Sequence, residues 1–420
     1  MHIIGIIAEF NPFHNGHTYM LEEARRRSGA DAVIVVMSGD FVQRGTPAIL
    51  NKYTRAEMAL RSGADLILEL PVAAAAGSAQ RFAEGAAALL DGLGIVDELW
   101  FGSEEGQTSL MQKAASFFCT EASAASDARV PQIYSDFRTQ LKELLSSGIS
   151  YPAARMQALM ACFPEDADNL RQLLSSPNNI LGLEYCIALQ KRNSTIIPRT
   201  LQRKGAGFHE ETLEEKNFLS SASAIRKVLW SSESSRLPDS ILPQVPPHAA
   251  SVLSDCAENG FAFLQENDFS DMLIYQLWKE TAESLSGYLD VSSDLADRIL
   301  RFRPEYRDFS SFAELLKNKS MTRSQIDRAL LHILLGITGA DLEQALHPAY
   351  ARILGFRKEK AEILSHIKKA GGLQTMSGAD FLNSPAYRRD LFASTLYETV
   401  RAKKAGSPFL HECSRRLLLV

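Results

Sequence analysis

Two histidines near the start of the chain stand in a pattern that is suited to phosphoryl chemistry. His14 and His17 enclose Gly16 and follow the apolar run 3–10, and a helical pattern begins at His17. A helix N-terminus offers free N–H groups and a positive dipole end to an anion, and imidazoles placed there can donate hydrogen bonds to phosphoryl oxygens as charge moves. Gly16 lets the backbone approach a ligand closely, and Pro12 stiffens the turn before it. The spacing predicts a nucleotide site at these histidines.

The elements that must position the histidines alternate between short apolar runs and helical patterns. Further apolar runs occupy 32–37, 65–71 and 98–102, and another strand candidate covers 194–201. Because parallel strands need a crossover between them, this order predicts a doubly wound, Rossmann-like parallel α/β sheet. Ligands of such sheets bind beyond the carboxyl ends of the strands, which is where we expect the histidines to lie.

The chain is long enough for two or three domains. Its 420 residues exceed the ~150 that one domain usually takes. A stretch rich in Ser and Pro at 231–247 is typical of a linker, and the patterns beyond it are helical. We therefore expect an α/β catalytic domain at 1–230 and an all-α C-terminal domain at 248–420.

The cysteines and the N-terminus favour a cytoplasmic protein. The five cysteines are scattered and never form a CxxC pair, which argues against a disulfide framework or a zinc site. The first residues lack the basic and small-residue features of an export signal, and no apolar run reaches ~18 residues. Neither export nor a membrane span is expected.

Positive charge is concentrated late in the chain. The net charge is -5 overall, but residues 351–404 carry eleven Lys and Arg against five acids, a local net charge of +6. A surface of this kind could neutralise RNA phosphates. An ordinary solvated helix face is the alternative. The candidate RNA contacts within this stretch are Lys368, Lys369, Arg388 and Arg389.

The segment around the two histidines resembles a known signature. Phe-Asn-Pro-Phe-His-Asn-Gly-His at 10–17, directly after a strand candidate, resembles the HxGH motif of the nucleotidyltransferase superfamily. The late I-S-S-T-x-I-R segment of that superfamily has a divergent counterpart at 221–226, where Ala222 and Ser223 replace Ser and Thr. An ordinary Ser N-cap followed by a surface Arg is the alternative interpretation of 221–226.

Further segments make the resemblance more specific. Those at 38–48, 101–104, 176–182 and 203–209 look like blocks of the bacterial tRNA(Met) cytidine acetate ligase family, and the likeness continues at 330–335 and 351–356. The resemblance implies a two-step reaction on the wobble cytidine of elongator tRNA(Met). Acetate attacks the α-phosphate of ATP to give acetyl-adenylate and pyrophosphate, and the N4 amine of the cytidine then takes the acetyl group.

The resemblance also implies which residues form the site. His14 and His17 are the expected catalytic residues. The expected ATP contacts are Ile7, Ala8, Glu9, Phe10, Asn11, Pro12, Phe13, His14, Asn15, Gly16, His17, Thr18, Tyr19, Met20, Gly102, Asn178 and Arg203. Gln43, Arg44, Ser223 and Arg226 are further candidates for phosphate or RNA contacts. ATP is the expected co-substrate, Mg²⁺ the expected ion with no ligands assigned, and tRNA(Met) and acetate the expected partners.

Two other functions remain open at this point. A small-molecule adenylyltransferase would use the same motif and would be indifferent to tRNA. A non-catalytic RNA-binding protein with a relict nucleotide fold would bind tRNA without turning over ATP.

Several candidate residues also have purely structural interpretations. Gly102 could end a strand, and Asn178 could cap a helix. Lys52 and Arg55 form a polar cluster with Gln43 and Arg44, although solvated surface is the simpler interpretation for both.

Two late features are assigned no role in the chemistry. A Lys- and Ser-rich stretch at 317–321 resembles the KMSKS loop of class I aminoacyl-tRNA synthetases. We interpret it as a loop before a helix cap at Thr322, because it falls in an all-helical region. His332 lies on the apolar stripe 330–335 and is interpreted as a packed core residue.

Overall fold

The strands of the described residues form one large sheet and a small hairpin. The structure is a computed structural model that describes residues 1–124, 132–203, 220–232, 236–258, 263–319, 321–377 and 387–420. Its strands are β1 (Ile3–Ala8), β2 (Ala32–Ser38), β3 (Phe41–Val42), β4 (Thr46–Pro47), β5 (Leu66–Leu70), β6 (Glu98–Ser103), β7 (Ile197–Gln202), β8 (Tyr350–Phe356), β9 (Gln374–Met376) and β10 (Leu418–Leu419).

Helices make up most of the remaining described chain. They are α1 (Asn15–Ser28), α2 (Lys52–Arg61), α3 (Val72–Ala75), α4 (Ala79–Gly92), α5 (Ser109–Ala124), α6 (Gln132–Ser146), α7 (Tyr151–Cys162), α8 (Ala167–Ser175), α9 (Pro177–Lys191), α10 (Ala222–Ser231), α11 (Pro247–Glu258), α12 (Ser270–Lys279), α13 (Ala282–Leu285), α14 (Ser293–Phe302), α15 (Phe309–Leu316), α16 (Arg323–Leu335), α17 (Gly339–Leu346), α18 (Glu362–Lys369) and α19 (Arg388–Ala405). None of the helices in the described ranges has the length and apolar character needed to cross a membrane.

The predicted parallel α/β sheet is confirmed. The strand order is β10-β8-β5-β2-β1-β6-β7, with β9 paired to β8. All neighbours from β5 to β7 run parallel. The chain leaves β1 towards β2 on one side and later reaches β6 on the other, and this change of direction opens a crevice at the carboxyl ends of the strands.

The C-terminal part differs from the all-helical expectation because it contributes three strands to this sheet. The strand β8 pairs antiparallel with β5, and β9 and β10 pair with β8. The run 351–355 of β8 is buried throughout, as expected of a strand enclosed on both faces. With three and two residues, β9 and β10 are too short to show a periodicity. Residues on both sides of 231–247 therefore share one sheet.

Helices cover both faces of the sheet, and β1 contributes to both apolar layers. Ile3 and Ile7 pack in the layer that contains α4 and α9, whereas Ile4 and Ile6 pack in the layer with α1 and α2. Successive side chains of a strand point to opposite faces. Odd-numbered residues of β1 thus point towards α4 and α9, and even-numbered ones towards α1 and α2.

A buried cluster of charges joins the C-terminal residues to the sheet. Lys52 Nζ lies 2.7 Å from Glu69 Oε1 and 2.7 Å from Glu412 Oε1, and Arg352 pairs with both carboxylates. Lys52 also donates to Ser394 Oγ at 2.7 Å. These side chains come from α2, β5, β8, α19 and the turn after α19, so the cluster links segments that lie far apart in sequence.

Both sequence interpretations of Lys52 and Arg55 are wrong. The two side chains are 0% exposed and do not line the nucleotide cavity described below. Arg55 donates to the backbone carbonyls of Leu50, Glu9, Ser38 and Gly39. It therefore joins the ends of β1 and β2 at the carboxyl edge of the sheet, as a structural support rather than a surface cation.

His332 and the stretch 317–321 have the structural roles predicted from the sequence. His332 is 0% exposed, and its ring nitrogens lie 2.9 Å from Leu289 O and 3.1 Å from Ala76 O. In the stretch 317–321, Ser320 lies outside the described residues. Lys317 pairs with Glu314 at 2.9 Å, and neither residue lines the nucleotide cavity.

Candidate active site

A cavity of about 450 Å³ opens at the carboxyl edge of the sheet, beside the predicted motif. Its walls come from the β1–α1 junction, the β3–β4 hairpin, the ends of β6 and β7, the first turns of α4 and α10, and the N-terminal part of α9. This volume falls within the ~300–1,000 Å³ typical of ligand sites. The position is the one at which parallel sheets bind nucleotides.

Hydrogen bonds to the backbone fix the orientation of both histidines. His14 caps α1, with Nδ1 accepting from Gly16 N at 3.1 Å. His17 completes the capping box, because its Nδ1 accepts from His14 N at 3.2 Å. An imidazole nitrogen that accepts a hydrogen bond carries no proton. In the neutral rings the proton is therefore on Nε2, which remains as a donor for a ligand.

Both rings are held in the neutral form. Burial, followed by the charges of Arg203 and Arg226, lowers the pKa of His14 from 6.5 to about 3. Burial also lowers the pKa of His17 well below its usual value, with His14 and Arg203 contributing. The rings stack with centroids 3.7 Å apart. At neutral pH the pair supplies hydrogen-bond donors without adding positive charge.

Two buried aromatic side chains pack against the histidine pair. Phe10 and Phe13 are buried and contact the His17 ring at centroid distances of 4.9 and 5.4 Å. The backbone of Phe10 has a φ of 49°, in the left-handed region, where a bulky residue is rare. That conformation ends β1 and turns the chain into the motif. Asn11 Oδ1 accepts from Ile49 N at 2.8 Å, which anchors the turn.

Arginines lie beside the histidines. Arg226 donates to Asn11 O at 2.6 Å and to Ser223 Oγ at 3.1 Å. Burial lowers the pKa of Arg226 to about 10, opposed by Glu9. Together, His14, His17, Arg203 and Arg226 form what we call the phosphate wing of the cavity. The sequence alternative for 221–226 holds in part, since Ser221 does cap α10, but Arg226 is partly buried and lines the cavity.

Gly102 and Asn178 have structural roles alongside their place in the cavity wall. A Cβ on Gly102 would lie 3.3 Å from Cγ of Arg203, so a larger residue would crowd the phosphate wing. Asn178 Nδ2 donates to Glu104 Oε1 at 2.7 Å, and Asn179 N donates to Glu104 Oε2 at 3.1 Å. These bonds fix the start of α9 against the loop after β6.

Most of the predicted site residues lie together. Those that line the cavity are Ile7, Ala8, Glu9, Phe10, Asn11, His14, Gly16, His17, Tyr19, Met20, Gln43, Arg44, Gly102, Asn178, Arg203, Ser223 and Arg226. Four of the predicted ATP contacts do not line it, namely Pro12, Phe13, Asn15 and Thr18. Asn15 instead donates to Pro243 O at 2.8 Å. Of the family block at 203–209, residues 204–209 lie outside the described residues.

The four basic residues of the C-terminal stretch do not line the cavity. Lys368 and Lys369 end α18, whose His366 lines a small cleft with Met1 and Asp97, at the amino ends of β1 and β6. This is the edge of the sheet opposite the cavity. The sequence could not show this placement, because it follows from the return of the chain to the sheet through β8.

Arg388 and Arg389 lie at the start of α19, near the end of α16. Arg389 pairs with Asp341 at 3.1 Å and donates to Leu335 O at 3.1 Å, so it caps α16. Arg388 is exposed. The predicted basic face is thus divided between two places, and one of its members stabilises a helix end.

Sequence reasoning missed all but Ile7 of an apolar part of the site. We call it the apolar wing; it consists of Ile7, Phe82, Phe101, Leu181 and Tyr185. These side chains belong to the layer of α4 and α9, on the face of the sheet opposite the phosphate wing. Only tertiary packing brings them together, since they come from β1, α4, β6 and α9 and share no spacing in the sequence.

The described residues supply few ligands for a metal ion. Among the described residues, no group of three or more His, Cys, Asp or Glu is arranged to hold one. Glu9 is the one carboxylate among the described residues that line the cavity. These residues therefore do not form a protein-held magnesium site.

A family model and curated relatives place the chain in the same family. The model of the HIGH Nucleotidyl Transferase family matches residues 1–409. The tRNA(Met) cytidine acetate ligase of Acetivibrio thermocellus is 37% identical over 97% of this chain and 98% of its own length. That of Halothermothrix orenii is 37% identical over 88% of this chain and 85% of its own length.

Solved structures agree with the sequence comparison. The crystal structure of apo Thermotoga maritima TmcAL superposes with a TM-score of 0.89 at 28% identity, covering 100% of this chain and 99% of that one. A second structure of that protein, bound with alpha-thio ATP, gives a TM-score of 0.84 at 29% identity, covering 96% and 95%. The similarity thus extends over the whole fold, including the strands β8 to β10.

Proposed function

We infer the function of this chain from its family: the chain belongs to the HIGH nucleotidyltransferases and, within them, to the tRNA(Met) cytidine acetate ligases. It is an ATP-dependent ligase that acetylates N4 of the wobble cytidine of elongator tRNA(Met). The observation that carries this proposal is the pair of neutral imidazoles, each with Nε2 left as a donor, in a cavity that also contains arginines.

The first step joins acetate to AMP. A carboxylate is already ionised at pH 7, so the attack of acetate on the α-phosphate needs placement and charge stabilisation more than a base. Nε2 of His14 and Nε2 of His17 would donate to phosphoryl oxygens as charge develops on them. Arg203 and Arg226 would balance the charge of the pyrophosphate that leaves.

The phosphate wing is the proposed ATP site. It lies at the N-terminus of α1, where free N–H groups and the helix dipole favour phosphate, and Gly102 leaves room beside it. The similar Thermotoga maritima protein has been crystallised with alpha-thio ATP. We propose that ATP binds Ala8, Phe10, Asn11, His14, Gly16, His17, Tyr19 and Met20 of the lining together with Gly102, Asn178 and Arg203.

Magnesium is proposed to arrive with ATP rather than to reside in the protein. Mg²⁺ keeps several waters and is usually bound by substrate phosphates with one or two carboxylates. Since the cavity offers little protein ligation among the described residues, we assign no step to the ion.

The second substrate requires an RNA-binding region. We keep the division into a catalytic part at 1–230, a connection at 231–247 and a tRNA-binding part within 248–420 as a proposal. Because β8, β9 and β10 complete the catalytic sheet, the tRNA-binding role falls to the helices α11 to α17 and to exposed basic residues around α18 and α19.

One assay tests the proposed function. The protein is incubated with labelled acetate, ATP and tRNA(Met) transcripts that carry either C or another base at the wobble position. Label should enter the C-containing transcript alone and should require ATP. If label does not enter that transcript, the proposal fails. Release of an adenylylated small molecule without any need for tRNA would instead favour a small-molecule adenylyltransferase.

The divided basic face gives a prediction for tRNA binding. Replacing Lys368 and Lys369 together with Ala should weaken tRNA binding and reduce its log–log salt slope by about one for each phosphate that is no longer neutralised. Arg388→Ala should act independently. Binding measured at several salt concentrations would show both effects, with Lys142→Ala, at an exposed lysine of α6, as the control. An unchanged slope in both variants would place the RNA-binding surface elsewhere.

A further inference from the structure

Glu9 lines the cavity, and one of its carboxylate oxygens has no hydrogen-bond partner among the described residues. Its Oε1 accepts from Gln43 N at 2.8 Å, which ties the end of β1 to the β3–β4 hairpin. Among the described residues, no hydrogen bond or ion pair to Oε2 is formed. A carboxylate only accepts hydrogen bonds, and it repels the phosphates that the neighbouring arginines attract. Glu9 is therefore poorly suited to the triphosphate and calls for a ligand that donates a proton.

The alternation of β1 places Glu9 on the side of the apolar wing. Ile3 and Ile7 face α4 and α9, and Glu9 continues that odd-numbered series one residue beyond the end of the strand. Tyr185 of the apolar wing lines the same cavity as this carboxylate. Burial raises the pKa of the Tyr185 phenol well above its usual value, and the charge of Glu9 adds to the shift. Both groups line the same cavity, so a ligand in the apolar wing can contact each of them.

The remaining apolar wing fits a flat, neutral ring. Tyr185 is 2% exposed and packs on Phe101 with ring centroids 5.5 Å apart. The hydroxyl of Tyr185 makes no hydrogen bond to a described residue, and it can donate to a ligand. No Lys or Arg belongs to this wing. Aromatic and apolar walls with a few polar groups are the usual surroundings of a base that is rotated out of its stack.

Cytosine matches this arrangement of groups. Its N4 amine donates hydrogen bonds, and Asp or Glu side chains accept them in base recognition. Its ring N3 and O2 accept hydrogen bonds, which suits the Tyr185 hydroxyl. A carboxylate next to a phenol would therefore read the edge of cytosine and reject uracil, whose O4 accepts where N4 donates.

We propose that the apolar wing is the pocket for the target cytosine and that Oε2 of Glu9 binds its N4 amine and accepts a proton from it. This inference rests on the proposed function. The N4 lone pair attacks the carbonyl carbon of acetyl-adenylate, the bond from that carbon to the phosphate oxygen breaks, and AMP leaves. The N4 proton passes to Oε2 of Glu9 and then to water. The two wings meet at the end of β1, so the adenylate and the amine approach from opposite faces of the sheet.

The experiment separates the two half-reactions. The first is measured as acetate-dependent exchange of pyrophosphate into ATP, and the second as transfer from isolated acetyl-adenylate to tRNA(Met). Glu9→Gln keeps an oxygen for Gln43 N and removes the proton acceptor. Tyr185→Phe removes only the hydroxyl. Glu57→Gln, at a partly exposed acid that pairs with Arg61 on α2, is the matched control.

The variants should affect transfer and spare the first step. Glu9→Gln should slow transfer about 10²-fold or more, the usual effect of losing a general base, while exchange stays within about threefold of wild type. Tyr185→Phe should raise the KM for tRNA and leave the KM for ATP unchanged. Glu57→Gln should change neither half-reaction.

Other outcomes would overturn the inference. Equal losses in both half-reactions of Glu9→Gln would make Glu9 part of the ATP or magnesium site, and no loss in either would leave it as an anchor for the hairpin. Loss of exchange in Tyr185→Phe would assign the apolar wing to ATP. If wild type itself shows no acetate-dependent exchange, the proposed function fails, which is a different result from any of these.

Discussion

Replacing His17 with Gln is expected to lower acetate-dependent pyrophosphate exchange by about 10²- to 10³-fold, the effect of removing one donor from a developing negative charge. Gln at this position of a capping box can still accept from the backbone of the cap residue, so α1 should keep its start. The imidazole Nε2 donor, which stacking on His14 holds in place, is replaced by an amide nitrogen on a flexible side chain. His14→Asn is the companion variant, because Asn is a good N-cap but does not reach as far as the imidazole.

The binding of tRNA should remain nearly intact in both variants, because His14 and His17 act at the phosphate wing. Thermal unfolding, exchange and tRNA affinity measured side by side would separate a chemical effect from a folding defect. Exchange within about tenfold of wild type, or a parallel loss of tRNA affinity, would contradict the assignment. Because the pKa of His14 is lowered to about 3, kcat/KM for ATP should show no inflection near pH 6.5 from this residue.

Glu412→Gln is expected to destabilise the protein by about 3–5 kcal/mol, the usual cost of removing one partner from a buried ion pair. Glu412 contacts both Lys52 and Arg352, which are 0% and 4% exposed. The amide keeps the volume of the side chain but leaves two buried cations with less compensation. Denaturant unfolding at pH 7 measures the loss.

The stability lost in Glu412→Gln should depend on pH, and the pKa of Glu412 gives the direction. Burial alone would raise the pKa of Glu412, but Lys52 and Arg352 outweigh it and lower the pKa from 4.5 to about 2. Above pH 4.5 the carboxylate is ionised in both states and its contribution is fully present. As the pH falls from 4.5 towards 2, the unfolded chain binds the proton first and the contribution is lost. The difference between wild type and Glu412→Gln should therefore shrink over that interval.

Asp390 has the opposite effect on the pH dependence of stability, and it is present in both proteins. Burial and then the charge of Glu69 raise its pKa to about 7, so its contribution falls as the pH rises from 3.8 to 7. Below pH 4.5 Asp390 is protonated in the folded state of both proteins, so comparing wild type with the variant over that interval removes its effect. Glu57→Ala, which breaks a surface pair with Arg61, is the control and should cause a much smaller loss. A similar loss in both variants would argue against a special role for the buried cluster.

The phosphate wing and the buried charge cluster lie at opposite parts of the carboxyl edge of the sheet. The phosphate wing lies at the ends of β1, β6 and β7, and the buried cluster lies at the ends of β2, β5 and β8. Arg55 connects them, since it donates to carbonyls of Glu9 and Ser38. The C-terminal residues thus support the carboxyl edge on which the site is built.

Local sequence patterns were enough to predict the parallel sheet and the two histidines of the phosphate wing. Apolar runs separated by helical patterns require crossovers, and the crossovers predict parallel strands. His14, Gly16 and His17 are close in sequence, so a single turn brings them together, and their capping bonds are local. Chemistry that depends on near neighbours in the chain is readable without a structure.

The roles of Lys52, the apolar wing and the basic C-terminal stretch depend instead on how distant segments pack. A buried lysine and a surface lysine look the same in a sequence, because burial depends on partners such as Glu69 and Glu412 that lie far along the chain. The apolar wing draws on four separate elements, and Lys368 and Lys369 reach the amino edge of the sheet only because β8 brings the chain back. Long-range packing, rather than local pattern, places these groups.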